Sequence, residues 1–383
     1  MAIDLSGGWP MPDAAAIQRE VDTAQAGLPP PSRVFKQRYF RDRELNALVL
    51  ADCIFIECGF ERVVFRDCQL RQMHFERCTF TDVTLLGGQF DQLMFSECQL
   101  EQLDLNRAKV FDLMCHEGSL HACDVVDCLL EDLTLNRCSA SDIQVSNSQV
   151  SYCNAQSVTG VNLIFHQGQW QDVNWYACTL QACAWRELTL VRQIMGSCQL
   201  DDCTWQDLSG QSRIWFTSQL SRCELAGLQL SGSSFHRSSL EDCSFFGSRL
   251  AQVIFTEARV LRCDFSQAQL PQVQGQDAQF VECQMVETCW VKAILPRAEF
   301  TRCDLSKSDL SQADLRAAHL LEQSLTVEQM QSARLHGAQC PHTDATPIPS
   351  DAFLVALDQW YARQQPGPRQ QNAARPTGAS RYV

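Results

Sequence analysis

The residues with most capacity for chemistry are the 21 cysteines. Seven of them, Cys183, Cys203, Cys223, Cys243, Cys263, Cys283 and Cys303, recur at intervals of 20 residues. A column of thiols at fixed spacing could hold a soft metal or respond to oxidants. Cys340-Pro-His342 with Asp344 offers one thiol, one imidazole and one carboxylate, which is thin for a metal site. Cys115 and His116 are neighbours in an extended segment and so point to opposite faces. A Gly-rich phosphate loop, a nucleophile elbow, HExxH and CxxC are all missing from the sequence. No catalytic, cofactor-binding or metal-ligating residue is therefore assigned, and no enzyme activity is expected.

The elements that position those thiols follow a single period. Every fifth residue from Leu45 (Leu50, Phe55, Phe60, Phe65, Leu70 and onward in one frame to Met330, Leu335 and Cys340) is a centre, and 53 of these 60 centres are large and apolar. Neither a 3.6-residue helix nor a two-residue strand alternation gives such spacing. Two residues before each centre lies a second apolar position, mostly small: Cys53, Cys58, Val63, Cys68, and later Ala258, Cys263, Ala268, Val273. Eighteen of the 21 cysteines fall there, leaving Cys115, Cys289 and Cys340. A free cysteine behaves as a small hydrophobe, so the thiol column is read first as core filling.

Units such as Cys303-Asp304-Leu305-Ser306-Lys307, Ser308-Asp309-Leu310-Ser311-Gln312 and Ala313-Asp314-Leu315-Arg316-Ala317 carry the pattern A-(D/N)-L-x-x. In these the chain resembles the pentapeptide-repeat family. The resemblance implies an all-β solenoid, a right-handed quadrilateral β-helix with four units per coil, about 15 coils and a length of roughly 70 Å. Such a rod buries each coil only against its neighbours. The expected organisation is an N-terminal cap and linker over 1–44, the solenoid over 45–340, a linker and amphipathic helix over 341–363, and a disordered tail over 364–383.

Composition narrows the function. The chain has 383 residues, 45 acidic against 31 basic side chains, and a net charge of −14. That sign disfavours direct binding to nucleic acid or to an anionic membrane. No apolar run reaches transmembrane length, and the start of the chain, Met1 to Trp9, has neither a basic nor an apolar signal region. A cytoplasmic location with reduced thiols is expected, and no cofactor.

Irregular places draw attention. Residues 138–162 have Ala140, Ala155 and Gly160 at centres, which predicts an underfilled, wetter interior. Trp170, Trp175, Trp185, Trp205 and Trp215 take centres where Leu is usual, and Gln193 and Arg213 take inward small positions. One reading makes 185–216 a partner-binding patch of exposed aromatic area, with Trp205, Arg213 and Trp215 as its candidates. At the ends, Asp13 opens an expected helix over 14–24, followed by a stiff Gly27–Pro31 linker. Thr326-Val-Glu-Gln329 reads as a capping box. Ser350 opens a helix whose Phe353, Leu357, Trp360 and Tyr361 form an apolar stripe, read as a lid, a partner contact or a homodimer contact.

The leading functional reading is a non-enzymatic scaffold or adaptor that binds a protein partner. The resemblance also suggests an accessory of bacterial type VI secretion. One alternative follows from family members that resemble duplex DNA and inhibit topoisomerases: the repeat region has 36 acids against 21 bases. The acids do not align in one column, which argues against it. A thiol-based metal or oxidant sensor is the other alternative.

Overall fold

In the computed structural model of the chain, residues 34–322, 325–340 and 352–364 are described. Within each five-residue unit the large centre turns inward. Two residues on, the backbone takes a left-handed φ, as at Asp52 (56°), Asp67 (52°), Arg107 (53°) and Arg302 (52°). The next residue, small, turns inward again, and the fifth points out. The left-handed corner costs a non-glycine residue about 1 kcal/mol or more. It is repaid by the register it creates, because twenty residues then close one coil.

Pairing is parallel and always offset by 20: Val34 lies beside Ile54, Ile54 beside His74, and so on to Ile294 beside Asp314. The 27 strands make one sheet wound into a β-solenoid of about 14 turns. Its first rungs lie ahead of residue 45, where the five-residue period runs on through the basic stretch 33–44 as a charged first coil. Val34–Lys36 and Tyr39–Asn46 already pair with the following coil, so the solenoid takes in residues 34–44 of the stretch assigned to the cap and linker. Arg43 is the exception to the outward charges of this stretch: half-buried, it takes an inward slot as the register partner of Val63, beside the inward series Phe35, Phe40, Leu45. The expected 14–24 helix and the Gly27–Pro31 linker lie outside the described residues, as does the tail beyond 364.

Four faces result, named here by their centres: face A (60, 80, 100), face B (65, 85, 105), face C (70, 90, 110) and face D (75, 95, 115). Corner geometry changes along the rod. Up to Phe216, strands of eight residues such as Val49–Ile56 run over two faces. Beyond it, three-residue strands persist on face A and single bridges elsewhere. Those later corners close with turn hydrogen bonds, Ser238 N to Phe235 O at 3.1 Å and Ala258 N to Phe255 O at 2.9 Å.

The interior is a set of stacked columns. Phe35, Phe55, Phe75 and Phe95 stack at 4.8, 5.1 and 5.0 Å, and Phe40, Phe60 and Phe80 at 4.9 and 4.6 Å. Adjacent columns meet edge to face, as Phe55 meets Phe60 at 5.5 Å. The stretch 138–162 is not left open. At Gly160 the side chains of Leu163 and Leu180 occupy the room a Cβ would need, each 2.7 Å from where it would sit. The ladder continues through Ala140 and Gly160 without a gap.

Near the C-terminal end, α1 (Val327–Ser332) starts from the expected capping box of Thr326 and Gln329. The same Gln329 amide donates to Leu305 O at 3.0 Å and Ser308 O at 2.9 Å, so the helix is pinned to the preceding coil. The chain then rejoins the ladder at Arg334 and Gln339. A second helix, α2, covers Ala352–Gln364. Among the described residues no helix is long and apolar enough to cross a membrane.

Candidate protein-binding face

The sequence candidates divide into an inner and an outer set. Trp205 and Trp215 are 1 % exposed and Arg213 2 %. They therefore form no exposed aromatic patch, which corrects the reading of 185–216 as a surface site. The indoles fit because they join the column order: Trp185 stacks on Trp205 at 4.9 Å, and Trp215 on Phe235 at 4.9 Å. Only part of their polar demand is met. Trp290 Nε1 donates to Thr288 Oγ1 at 2.8 Å, whereas the Nε1 groups of Trp175, Trp185, Trp205 and Trp215 are buried without a partner. On α2, Leu357 and Trp360 are exposed. The side chains of Phe353 and Tyr361 lie outside the described residues.

The thiols have a specific structural task. The cysteines of the small inward slot, Cys153 apart, point at one or two backbone carbonyls. Cys78 Sγ lies 3.3 Å from Phe55 O and 3.5 Å from Glu76 O, and Cys223 Sγ 3.6 Å from Leu200 O and 3.4 Å from Ser221 O. Serine does the same where it replaces cysteine: Ser218 Oγ donates to Met195 O at 2.9 Å and Phe216 O at 3.1 Å. Where the slot holds Cys or Ser the side chain adds a weak donor to these carbonyls, while Val63, Val83, Ala258 and Ala268 fill the same slot without one. Burial pushes Cys123 up to about 11 and Cys153 up to about 12, away from the reactive thiolate. Along the stacked thiols the direction alternates, Cys203 and Cys243 being lowered by hydrogen bonds with the neighbouring thiols and Cys183 and Cys223 raised by them. Among the described residues no cluster of three or more His, Cys, Asp or Glu is placed to hold a metal ion.

Arg213 marks a discontinuity. Face C is laddered rung by rung from Val49 to Ser209 and from Gln229 to Asp309, yet no rung joins Ser209 to Gln229. The Arg213 guanidinium spans that break, Nη2 donating to Ser209 O and Nη1 to Gln229 O, both at 2.8 Å. Gly210, the centre of this coil, has φ +98°, and a Cβ there would sit 1.9 Å from Leu190 O. Burial pulls Arg213 down to about 10, so it remains charged at neutral pH. Gln193, its register partner in the coil before, is buried with both amide atoms unpartnered.

The outward columns differ in chemistry, and this the inward-looking sequence reading missed. On face B the column contains Glu44, Asp104, Asp124, Glu224, Asp264 and Asp304; on face C it is rich in glutamine; on face A it runs mainly through Thr, Ser and Gln. Face D is different. Its column reads Val34, Ile54, His74, Met94, Met114, Thr134, Asn154, Asn174, Ile194, Ile214, Ser234, Ile254, Gln274, Ile294. No Asp, Glu, Lys or Arg occurs before Asp314. Val34, Ile54, Met94, Met114 and Ile294 are 37–48 % exposed. The signal was available: every twentieth residue from Val34 shows it.

Two family models match, one for a pentapeptide repeat region over residues 34–105 and one for pentapeptide repeats over 291–320. The five-residue frame runs unbroken between them, so the solenoid is built of pentapeptide repeats throughout and the chain is similar to the pentapeptide-repeat proteins. Similar solved structures include QnrB1, a plasmid-mediated fluoroquinolone resistance protein, at 12 % identity over 57 % of this chain and 96 % of that one, with a TM-score of 0.34. Another is HetL from the cyanobacterium Nostoc sp., a pentapeptide repeat protein involved in heterocyst differentiation regulation. It shares 16 % identity over 78 % and 95 % of the two chains, with a TM-score of 0.19. A mannuronic acid specific polysaccharide lyase from human gut microbiota matches at 8 % identity over 86 % and 94 %, with a TM-score of 0.27. Such likenesses say nothing of activity or partner. No curated protein matches the chain.

Proposed function

We propose that the chain is a non-enzymatic protein-binding rod whose partner lies along face D. The observation that carries this is the composition of that face's outward column. On a molecule of net charge −14, a column uncharged from Val34 to Ile294 and studded with Ile and Met stands out. An exposed apolar strip rimmed by polar residues is how proteins present a contact surface to another protein. Methionine suits it, being flexible and polarisable. The rigid 20-residue register supports recognition by a partner that spans several coils, since neighbouring side chains repeat at strand spacing.

The test replaces Met94 and Met114 with Glu. Both are outward and half-exposed, so each single glutamate is expected to change stability by no more than about 0.5 kcal/mol, and the double variant by up to about 1 kcal/mol more because the two are register partners. Partners that co-purify with the native chain are expected to be lost from the double variant and retained when Gln99 and Ser119 of face A are changed to Glu. Retention of every partner by the face D variant overturns the reading. An accessory or adaptor role in type VI secretion is one setting for such a rod, and there the co-purifying partner would be a secretion component. The acids favour no topoisomerase-inhibiting reading, because the face B column alternates Asp and Glu with Val64, Gln144, Ile164 and Ala184 and forms no continuous stripe.

A further inference from the structure

One place on the rod inverts the local charge. From Cys78 to Asn136 there are 11 acidic residues and two basic ones, Arg107 and Lys109. Both basic residues line the same open cleft of about 540 Å³, at the corner between faces B and C, together with Arg66, Asp67, Gly87 and Gly88. The two glycines create the hollow. Gly87 and Gly88 have φ +65° and +80°, and a Cβ on Gly88 would sit 2.3 Å from Cys68 O, so bare backbone must form the wall there.

The cations are incompletely used. Arg66 pairs with Glu44 at 2.8 Å, and Arg107 Nε donates to the neutral Asn106 Oδ1 at 3.1 Å. Arg107 and Lys109 form no ion pair among the described residues, while comparable corner arginines such as Arg262 and Arg297 do. Asp67 is the one carboxylate in the lining, its Oδ1 lying over Gly87.

We propose that this cleft is an oxyanion site that takes a single phosphate monoester. Arginine forks and a lysine point charge are the side chains that bind phosphate. Three cations (Arg66, Arg107, Lys109) against one carboxylate (Asp67) leave the lining at +2, which balances the charge of about −1.5 to −2 that a monoester brings at neutral pH. The surrounding carboxylates set the size of the ligand, since an extended polyanion would meet them on either side. The site therefore suits a small phosphorylated metabolite or one phosphorylated side chain, and not nucleic acid.

Calorimetric titration of the full chain with inorganic phosphate, phosphoserine, glutamate and a duplex DNA at fixed low ionic strength tests this. Phosphate and phosphoserine are expected to bind, glutamate at least tenfold more weakly, and DNA not at all. Lys109→Gln, whose side chain has no ion pair to lose, is expected to weaken phosphoserine several-fold with an unchanged melting curve. Arg107→Gln with Lys109→Gln is expected to weaken it tenfold or more, while Arg262→Gln on a distant corner leaves it unchanged. If wild type binds neither phosphate nor phosphoserine, or if both cleft variants bind like wild type, the proposal is overturned. Glutamate binding as tightly as phosphoserine would make it a carboxylate site, and tight DNA binding a polyanion surface; either overturns the assignment. If free phosphate binds as well as phosphoserine, the source is a small phosphate rather than a modified side chain, within the same proposal.

Discussion

Arg213 sits in a slot that the neighbouring coils give to Gln193 and Ser233, and the length of its side chain is what suits it there. Its planar fork reaches two carbonyls on opposite sides of the missing rung, which a lysine ammonium could not hold at the same fixed geometry. Arg213→Ala should cost about 3 kcal/mol, mainly through the two carbonyls left without donors. Amide exchange should accelerate at 209–213 and 229–230 before it does elsewhere, and Arg213→Lys should behave more like the alanine variant than like wild type. If exchange rises evenly along the rod, Arg213 does not bridge the break. The cysteines give a second residue-scale test. Cys289 and Cys340 are half-buried and the other 19 are buried, so native protein should expose at most those two to a thiol reagent, and all 21 after unfolding. Rapid labelling of several thiols in the folded state would contradict a packing role. Cys223→Ser should fall within about 1 kcal/mol of wild type, because serine fills the equivalent slot at Ser218 with the same pair of carbonyl contacts.

At the scale of the coil, stability is a repeated exchange between strained corners and inter-coil hydrogen bonds. Alanine holds the left-handed corner at Ala122, Ala177 and Ala317, with φ of 51°, 52° and 54°. Ala177→Gly should therefore stabilise the rod by about 0.5–1 kcal/mol, the relief of the corner exceeding the entropy that glycine loses on folding. A destabilised variant in chemical denaturation would show that the corner is not strained. Corner charges also ladder: Arg297 pairs with Asp277 and Arg262 with Asp242, both at 2.7 Å, and the guanidinium in each case holds the aspartate below the usual carboxylate range. Lowered carboxyl values mean stability present above about pH 4 and lost as the pH falls below it. The melting temperature should drop on acidification through that range, and less steeply at high salt, because these exposed pairs are screened. The sequence displayed the inward half of each coil plainly, since large and small apolar residues repeat every five positions. Corner conformation was not legible, because Arg, Gln, Glu and Ala hold it as well as Asp, and of these only Asp favours the left-handed region. The break at face C was equally hidden. Nothing in the sequence ties Gly210 and Arg213 to Gln229, which only the 20-residue register sets beside them.

At the scale of the whole molecule, a four-sided rod offers four columns with different chemistry, and the functional reading depends on their being read separately. The inward period revealed the fold but averaged the outside into one acidic surface. Taken by twentieths, the residues just before the centres resolve into an acid-bearing column on face B, a glutamine-rich one on face C, a hydroxyl-and-amide one on face A and an uncharged Ile/Met-bearing one on face D. Under the proposed function a protein partner lies along the last of these. A photo-crosslinking amino acid placed in turn at Gln89, Met94, Gln99 and Asp104 samples faces C, D, A and B within a single coil. In native cells, position 94 is predicted to yield a discrete protein adduct and the other three little or none. A discrete adduct from 89, 99 or 104 with nothing at 94 would contradict it.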